Sequence, residues 1–600
     1  MTAPVPAFDS NAGSSARALL RFQIGPVQDF IAAARSTRDL WSGSYLLSWL
    51  VAHGVKAAID DKAEVVFPAC DGEPKQPLLE LLKSKAKEEN AVKPDAGALL
   101  VPNFANVFVL KITEKTNGNA ADVARKVENT IRDEWTKIAG AVWSYCEENR
   151  LNADAAVRER FEKQVEKFLS IAWAATPNEG GEEAWRENYK RNGRVLDAVR
   201  QTRDFAANSA AGWHANLGAQ FGNAAGAAFL NEKDSLTGAL EAVADGKIWH
   251  PRAPERDGVK NRLDDDLLFS APTLIKRFWD LAYLKREHSI SFEKVANTCG
   301  IANHEPCNDE VRANADAPKY FAVLKFDGDS VGQWVSGEKT DNACEKFHTG
   351  FSAALSKFAL EEVPPIVKEH DGFLIYAGGD DVLALLPADT ALDCATKLRD
   401  AYREALDEFK DKETGAPPDG SVGIAIAHFK APLQDVVHAA SDAEKRKGKL
   451  NRSAVNVTLI KRSGGITLWD NKWDFAAIPL CDALAKAMSD DDASAKLPHR
   501  IITLLAPYLD KSTPLVKSTS ATDFDVVKVV EKEIAHALSR QVSDRKTREG
   551  LTTLFAGYLS ELHAYASGTD FILNKLIGLC TAAAFAKRTK REEKSQKSNP

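Results

Sequence analysis

Leu374-Ile375-Tyr376-Ala377-Gly378-Gly379-Asp380-Asp381-Val382-Leu383-Ala384 is two apolar runs joined by a glycine pair and an acidic pair. Phe373 to Ala377 and Val382 to Leu386 have the length and composition of strands. Gly378-Gly379 accepts the positive φ of a tight turn, so the segment predicts a β-hairpin with carboxylates at its tip. Gly-Asp turns are common, and taken alone this one reads as an ordinary hairpin.

Its surroundings add meaning. Tyr320 to Phe326 reads as a strand running into Asp327-Gly328-Asp329, and a helix follows over about 343–362. After the hairpin, Leu392, Ala395, Leu398, Tyr402 and Phe409 share one face of a helix with Asp389 as N-cap. A polar loop from Thr414 to Gly420 leads to a strand (Ser421 to His428), a helix (Pro432 to Lys447) and a strand (Ala454 to Ile460). The order βα-ββ-αβ-αβ predicts an α/β sandwich of ferredoxin-like type over 316–465.

In that arrangement the first strand lies beside the hairpin, so Asp327 converges with Asp380 and Asp381. Three carboxylates suit hard, oxygen-loving Mg²⁺ or Mn²⁺. Two such ions activate an attacking hydroxyl, neutralise a triphosphate and hold the leaving pyrophosphate, the logic of nucleotidyl transfer. Gly378 and Gly379 then leave room for a nucleotide, with Gly328 alongside; Asp329 either assists or only holds the turn. The run from Glu444 to Arg452 carries five cations. By itself it reads as a solvated helix end, where cations suit the dipole. Beside carboxylates it points to triphosphate binding by Lys445 and, less directly, by Arg452.

Outward from this unit, residues 17–115 read as a small α/β domain. It has a strand from Ala18 to Ile24, a turn at Gly25-Pro26, a helix through Val27, Phe30, Ile31 and Ala34, and a strand pair at Ala98 to Val101 and Val107 to Ile112. Residues 116–315 read as mostly helical, with 206–226 equally loop or loose helix, and 466–586 as helical again. Residues 1–16 read as a flexible lead-in and 587–600 as a disordered basic tail.

The 85 acidic and 78 basic residues give a net charge of -7 over 600 residues, which excludes a surface that is basic all over and confines any nucleic-acid contact to a region. No stretch has the ~18 uncharged apolar residues of a membrane span, and the start lacks a signal-peptide pattern, so a cytoplasmic protein is expected. The 8 cysteines form no CxxC pair, so neither a disulfide framework nor a regular zinc site is expected. Cys299, His304 and Cys307 offer three ligands, but a tetrahedral fourth is not evident and a structural zinc is not expected.

Gly378 to Asp381, then Ser421-Val422-Gly423-Ile424-Ala425, then the Lys445 to Arg452 run resemble, in order and spacing, the palm domains of GGDEF-type nucleotide cyclases. They more closely resemble the large polymerase/cyclase subunit of type III CRISPR-Cas effector complexes in its type III-B (Cmr) form, whose hairpin carries two aspartates. Lys325-Phe326-Asp327-Gly328-Asp329-Ser330-Val331-Gly332 also looks like that subunit's first strand. The stretch Ile24-Gly25-Pro26-Val27-Gln28-Asp29-Phe30-Ile31, with Ala34-Arg35, Arg38-Asp39-Leu40-Trp41 and Gly43 to Ser48, looks like the start of the subunit's first, non-catalytic palm. Consistently, Val101-Pro102-Asn103-Phe104 has no acidic pair.

The resemblance implies two ferredoxin-like palms with a helical middle and a helical C-terminal domain. It implies a subunit that joins ATP molecules into a cyclic oligoadenylate when a guide RNA in the complex pairs with target RNA. Partner subunits, guide RNA, target RNA and ATP are then the expected partners, with no membrane. Asp327, Asp380 and Asp381 would hold the ions, Gly378 and Gly379 admit the nucleotide, and Lys445 steady the triphosphate. Adenylylation of another small molecule and an ATP-binding scaffold without turnover are the alternatives; a free-standing diguanylate cyclase fits the long first palm less well. Relatives often begin with an HD nuclease domain. Here the first palm starts near residue 17, and His370-Asp371 leads into the hairpin, so no DNase activity is expected.

Overall fold

The computed structural model describes residues 17–70, 72, 75–84, 99–148, 155–202, 232–245, 267–290, 320–509, 526–566 and 569–589. Cys299, His304, Cys307, the 206–226 stretch, residues 1–16 and most of the basic tail lie outside them.

The first sheet comprises β1 (Ala18–Gly25), β2 (Glu64–Phe67), β3 (Val107–Ile112) and β4 (Ser170–Pro177) in the order β2-β3-β1-β4, antiparallel throughout. With the helices Thr37–Asp60 and Ala120–Glu148 between strands, the succession is βαββαβ, the ferredoxin-like one. Two strands differ from expectation. Leu99 to Val101 is a turn, because an apolar run broken at once by Pro102 has no room to pair, and Glu64–Phe67 takes the edge instead. Ser170–Pro177 lies in the block read as helical and pairs with all of β1, so the sheet is completed well beyond residue 115. Its alanines carry little strand signal between the strongly amphipathic helices Ala155–Phe168 and Gly181–Gln201.

Ser36 caps the Thr37–Asp60 helix by accepting the Asp39 N–H at 3.2 Å. Trp41, Tyr45 and Trp49, one turn apart, are buried there with Trp279 and Tyr283 of a later helical segment (Ala271–Leu284). That segment also buries two cations. Arg277 pairs with Asp39 at 2.8 Å, and the Lys276 ammonium donates to the carbonyls of Phe30 (2.6 Å) and Ala33 (2.5 Å). Short strands β5 (Ala244–Asp245) and β6 (Leu268–Phe269) pair beside it.

The second sheet has β7 (Tyr320–Gly328), β8 (Phe373–Ala377), β9 (Asp381–Pro387), β10 (Gly420–His428), β11 (Ala454–Ile460) and β12 (Ile466–Lys472), ordered β12-β11-β10-β7-β9-β8. β10, β7, β9 and β8 pair antiparallel in turn, β11 joins β10 in parallel, and β12 joins β11 antiparallel. β12 replaces the helix expected from 466: Gly464-Gly465 turns the chain, and alternate residues Trp469 and Asn471 are buried.

Successive side chains of a strand face opposite sides of a sheet, and here both sides are covered. Phe321 and Val323 of β7 join the core shared with the first sheet, while Ala322, Leu324 and Phe326 join the other. This double burial makes β7 an unbroken apolar run. The helix Leu433–Lys445 lies on the first face, and the helices Glu345–Lys357 and Ala391–Ala405 on the second. Among the described residues, five C-terminal helices between Ala477 and Thr589 extend the second core against β11 and β12. No described helix is long and apolar enough to cross a membrane.

The two sheets are clasped together. Trp185 Nε1–H donates to His348 Nδ1 at 2.8 Å, leaving His348 Nε2 to donate to the Val335 carbonyl at 2.7 Å. Tyr189 stacks on the same imidazole at 4.1 Å. Lys111 pairs with Glu345 at 2.5 Å, and Ala377 N–H donates to the Pro102 carbonyl at 3.0 Å, tying the hairpin to the first unit.

Gly423 sets how closely the Leu433–Lys445 helix approaches β10, since an added Cβ would fall on the backbone of Glu444 and Ala440. Gly423→Ala is expected to lower stability by about 1–3 kcal/mol, read as a lower melting temperature and looser packing of the segment leading to Lys447. An unchanged melting temperature would show that the helix moves freely on the sheet.

Candidate active site

The register of the second sheet builds the site. Asp327 at the end of β7 lies directly opposite Asp381 at the start of β9. Neighbours across an antiparallel pair have Cβ atoms about 4.5–5.5 Å apart, and like charges so placed repel. Gly328 N–H donates to the Asp380 carbonyl at 2.9 Å and Gly378 N–H to the Asp381 carbonyl at 2.9 Å, which fixes the hairpin tip against β7.

Glycines allow this closeness. A Cβ on Gly328 would come within 2.9 Å of the Asp380 Cβ and against the Tyr402 hydroxyl, and one on Gly378 would overlap the Tyr376 hydroxyl. The space beside Gly378, expected to be open to a nucleotide, is therefore filled by Tyr376. Gly379 has φ of 97°, the left-handed turn position. A small cleft does run along the Gly378-Gly379 backbone. Leu355 and Ser356 wall it on one side, and Pro68, Gln76 and Asn103 of the first unit on the other.

The carboxylates are electrostatically unsettled. Burial, then the charges of Asp327 and Asp381, push Asp380 up to about 7. Burial likewise raises Asp381 to about 6, with Lys325 opposing and Asp327 adding to the rise. Asp381 Oδ1 is buried and lacks a hydrogen-bond partner.

The cation that answers them is Lys447. Its ammonium contacts Asp327 Oδ2, lies 2.7 Å from Glu444 and 3.7 Å from Asp329, and is largely buried. Burial opposes its charge, but Asp327 and Glu444 outweigh that and raise its pKa above the ordinary value. Lys445 is elsewhere: its side chain is 64% exposed and pairs with Asp442 at 3.5 Å. Two residues along a helix turn the side chain through roughly 200°, so only one of Lys445 and Lys447 can face the sheet. Arg446 is committed to Asp470 at 2.8 Å, and Arg452 stands half-exposed, 3.9 Å from Asp329. Sequence reasoning missed Lys447 and Glu444. Their i, i+3 spacing was the available signal, lost among five neighbouring cations.

Asp329 accepts from the Ser421 hydroxyl and the Ser453 N–H, both at 2.7 Å, leaving Oδ1 buried without a hydrogen bond. Burial raises its pKa, against those two hydrogen bonds. Among the described residues no three His, Cys, Asp or Glu side chains are gathered tightly enough to hold a metal ion as they stand. In donor chemistry the aspartates suit a hard divalent cation, and the orphaned Asp381 oxygen is free to meet one. The Asp327 oxygen is the one Lys447 now occupies. His370, of the His-Asp dipeptide, is buried between the Ile366 carbonyl (2.7 Å) and Asp393 (2.8 Å).

Comparison with known proteins adds to this geometry. Residues 320–456 match the model of the Cas10/Cmr2 second palm domain, and residues 19–140 that of the CRISPR-associated protein Cmr2 N-terminal region. The CRISPR system Cmr subunit Cmr2 of Pyrococcus furiosus is 25% identical over 588 residues, covering 79% of this chain and 65% of its own length. The chain thus spans just under two-thirds of that curated relative. Among solved structures, a chain of type III-B Cmr-beta in the apo state aligns with a TM-score of 0.60 at 13% identity over 88% of this chain and 78% of that one. A chain of Cmr-beta bound to cognate target RNA gives 0.61 at 15% identity, over 88% and 79%. At such identities the likeness is one of fold.

The raised carboxylates predict a pH dependence. Between the ordinary 3.8 and about 7, an unfolded Asp380 has lost its proton while the folded one keeps it. The folded state then binds more protons, so stability falls as pH rises through that window. Asp380→Asn is expected to raise the melting temperature of cation-free protein at pH 8, by about 1 °C per kcal/mol recovered in a chain of 600 residues, and to change it little at pH 4. An equal effect at both pH values would show that Asp380 is not the strained group.

Proposed function

The chain belongs to the Cas10/Cmr2 family, and we propose that it is the nucleotidyltransferase subunit of a type III-B CRISPR RNA-guided effector complex, converting ATP into a cyclic oligoadenylate when target RNA is bound. The observation that carries this reading is the pairing of Asp327 with Asp381 across β7 and β9, with Asp380 at the glycine turn and a buried lysine facing them. A scaffold has no need of like charges held together against their repulsion.

In this reading the two sheets are the two palms. The first carries no acidic pair at Val101 to Phe104 and acts as a wall of the cleft over Gly378-Gly379; the second carries the chemistry. Asp327, Asp380 and Asp381 would hold Mg²⁺ or Mn²⁺, which when bound neutralises triphosphate charge and favours an attacking 3′-hydroxylate. Lys447 keeps Asp327 paired until a triphosphate arrives, then has an anion of higher charge to hold. Tyr376 packs against the Gly378 backbone and the buried Tyr402 against that of Gly328, which holds the tip and the end of β7 from beneath. Guide RNA, target RNA and the other subunits belong to the same proposal, as does activation by target binding.

A second reading, a subunit that binds ATP without turning it over, draws on the Lys447–Asp327 contact, which leaves the carboxylates ungathered. Transfer of adenylate to another small molecule uses the same residues. Labelled ATP with Mn²⁺ or Mg²⁺, incubated with the chain and its partner subunits, guide and target RNA, separates them by product mass. Target-dependent oligoadenylates are expected, a mixed adenylate would redirect the reading to transferase, and binding without product would leave the scaffold. Asp380→Ala with Asp381→Ala is expected to abolish product while sparing assembly. Lys447→Ala is expected to lower kcat/KM by ~10²-fold, and Lys445→Ala to stay within about twofold. Equal losses in the two lysine variants would remove Lys447 from the site.

A further inference from the structure

Between the helix that carries Lys447 and strand β11, three consecutive non-glycine residues sit in the left-handed region: Asn451 at φ 52°, Arg452 at 63° and Ser453 at 46°. Each such residue costs an L-amino acid about 1–2 kcal/mol, so a run of three persists only where the surroundings hold it. The holding contacts converge on Ser453. Its N–H donates to Asp329 Oδ2 and its hydroxyl to Asp419 Oδ2, both at 2.7 Å.

Asp419 is itself anchored. Arg399 donates to both its oxygens at 2.8 Å and Arg403 to one at 3.1 Å, while Arg399 lies 5.3 Å over the Trp473 ring. The Asp419 carbonyl also accepts the Asp329 N–H at 2.8 Å. Asp419 thus joins the strained turn, through its carboxylate, to the end of β7 beside Asp327 and Asp329, through its carbonyl. On the other side, Arg452 N–H donates to the Lys447 carbonyl at 2.9 Å, so the turn and the lysine move together. The result is that the Arg452 guanidinium stands over Asp329, half-exposed and 3.9 Å away, at the rim of the site.

We propose that Asp419 and Ser453 form a clamp whose task is to position Arg452 for the phosphate groups of the nucleotide. They touch no reacting atom in this scheme; they act through Arg452. The inference rests on the nucleotide reading above and adds to it the residues that set phosphate affinity. An unheld turn would carry Arg452 with it and lose backbone freedom on each binding event; the clamp removes that part of the cost beforehand and leaves only the side-chain rotamers to be fixed.

Ser453→Ala tests this without stranding charges, since Asp419 keeps both arginines and the Gly420 N–H. The probe is α,β-methylene ATP with Mg²⁺, titrated calorimetrically into the full chain, alongside steady-state turnover of ATP and thermal melting. Ser453→Ala is expected to weaken binding about tenfold and to raise KM similarly, with kcat within about twofold and the melting temperature nearly unchanged. In an Arg452→Ala background it is expected to add nothing, because it acts through that side chain. Binding by Ser453→Ala equal to wild type, or an equal loss with and without Arg452, would overturn the clamp. Absence of binding by the wild-type chain would overturn the nucleotide reading itself, and the clamp with it.

Discussion

Like charges held together at the mouth of a sheet are the constraint around which the second unit is arranged. Asp327 and Asp381 are opposed by register, and neither can move away without unzipping β7 from β9. Partial burial then weakens the usual remedy of solvent screening, Asp327 keeping 33% of its side-chain surface exposed and the Asp381 Oδ1 atom none. What remains is to lower the charge by taking up protons, the direction in which Asp380 and Asp381 are driven, or to bring a cation. Lys447 supplies one, and its position depends in turn on Gly423 letting its helix onto β10 and on Glu444 holding the ammonium from behind.

Double burial explains what the sequence made legible. β7, β9 and β10 are covered on both faces, so they read as continuous apolar runs, and the glycine-acid tip between β8 and β9 marks its own turn. The elements that escaped are those whose burial comes from outside their own pattern. β2 is four residues long, β4 is built on alanine, and β12 is an edge strand with Ile466 65% exposed and Leu468 51% exposed. Tertiary partners, not local preference, made each of these a strand.

The same distinction holds within the site. Asp327, Asp380 and Asp381 were readable because strand order alone brings their backbones together. Which lysine faces them was not, since the answer depends on the phase of the helix as it tightens into a 3₁₀ turn at Arg446–Leu450. Tyr376 was equally hidden, because a β-bulge between Leu374 and Tyr376 shifts the register of β8 and brings its hydroxyl beneath the turn.

The first unit acts on this site mechanically. Its diagnostic segment buries Asp39 against Arg277 and packs Trp41, Tyr45 and Trp49 into one aromatic seam, which makes the helix Thr37–Asp60 a rigid wall. The loop before β3 is tied to that wall by the Trp41 indole N–H, which donates to the Leu100 carbonyl at 2.9 Å, and from this loop the Pro102 carbonyl accepts a hydrogen bond from Ala377, the last residue of β8 before the turn. The tip is thus held between β7 on one edge and the first unit on the other. The first unit thus bears on the tip directly, through that backbone bond and through Pro68, Gln76 and Asn103, which face Gly378 and Gly379 across the cleft. What the carboxylates keep between them is set by the β7–β9 register, and what lies over the glycine turn is set by the first unit.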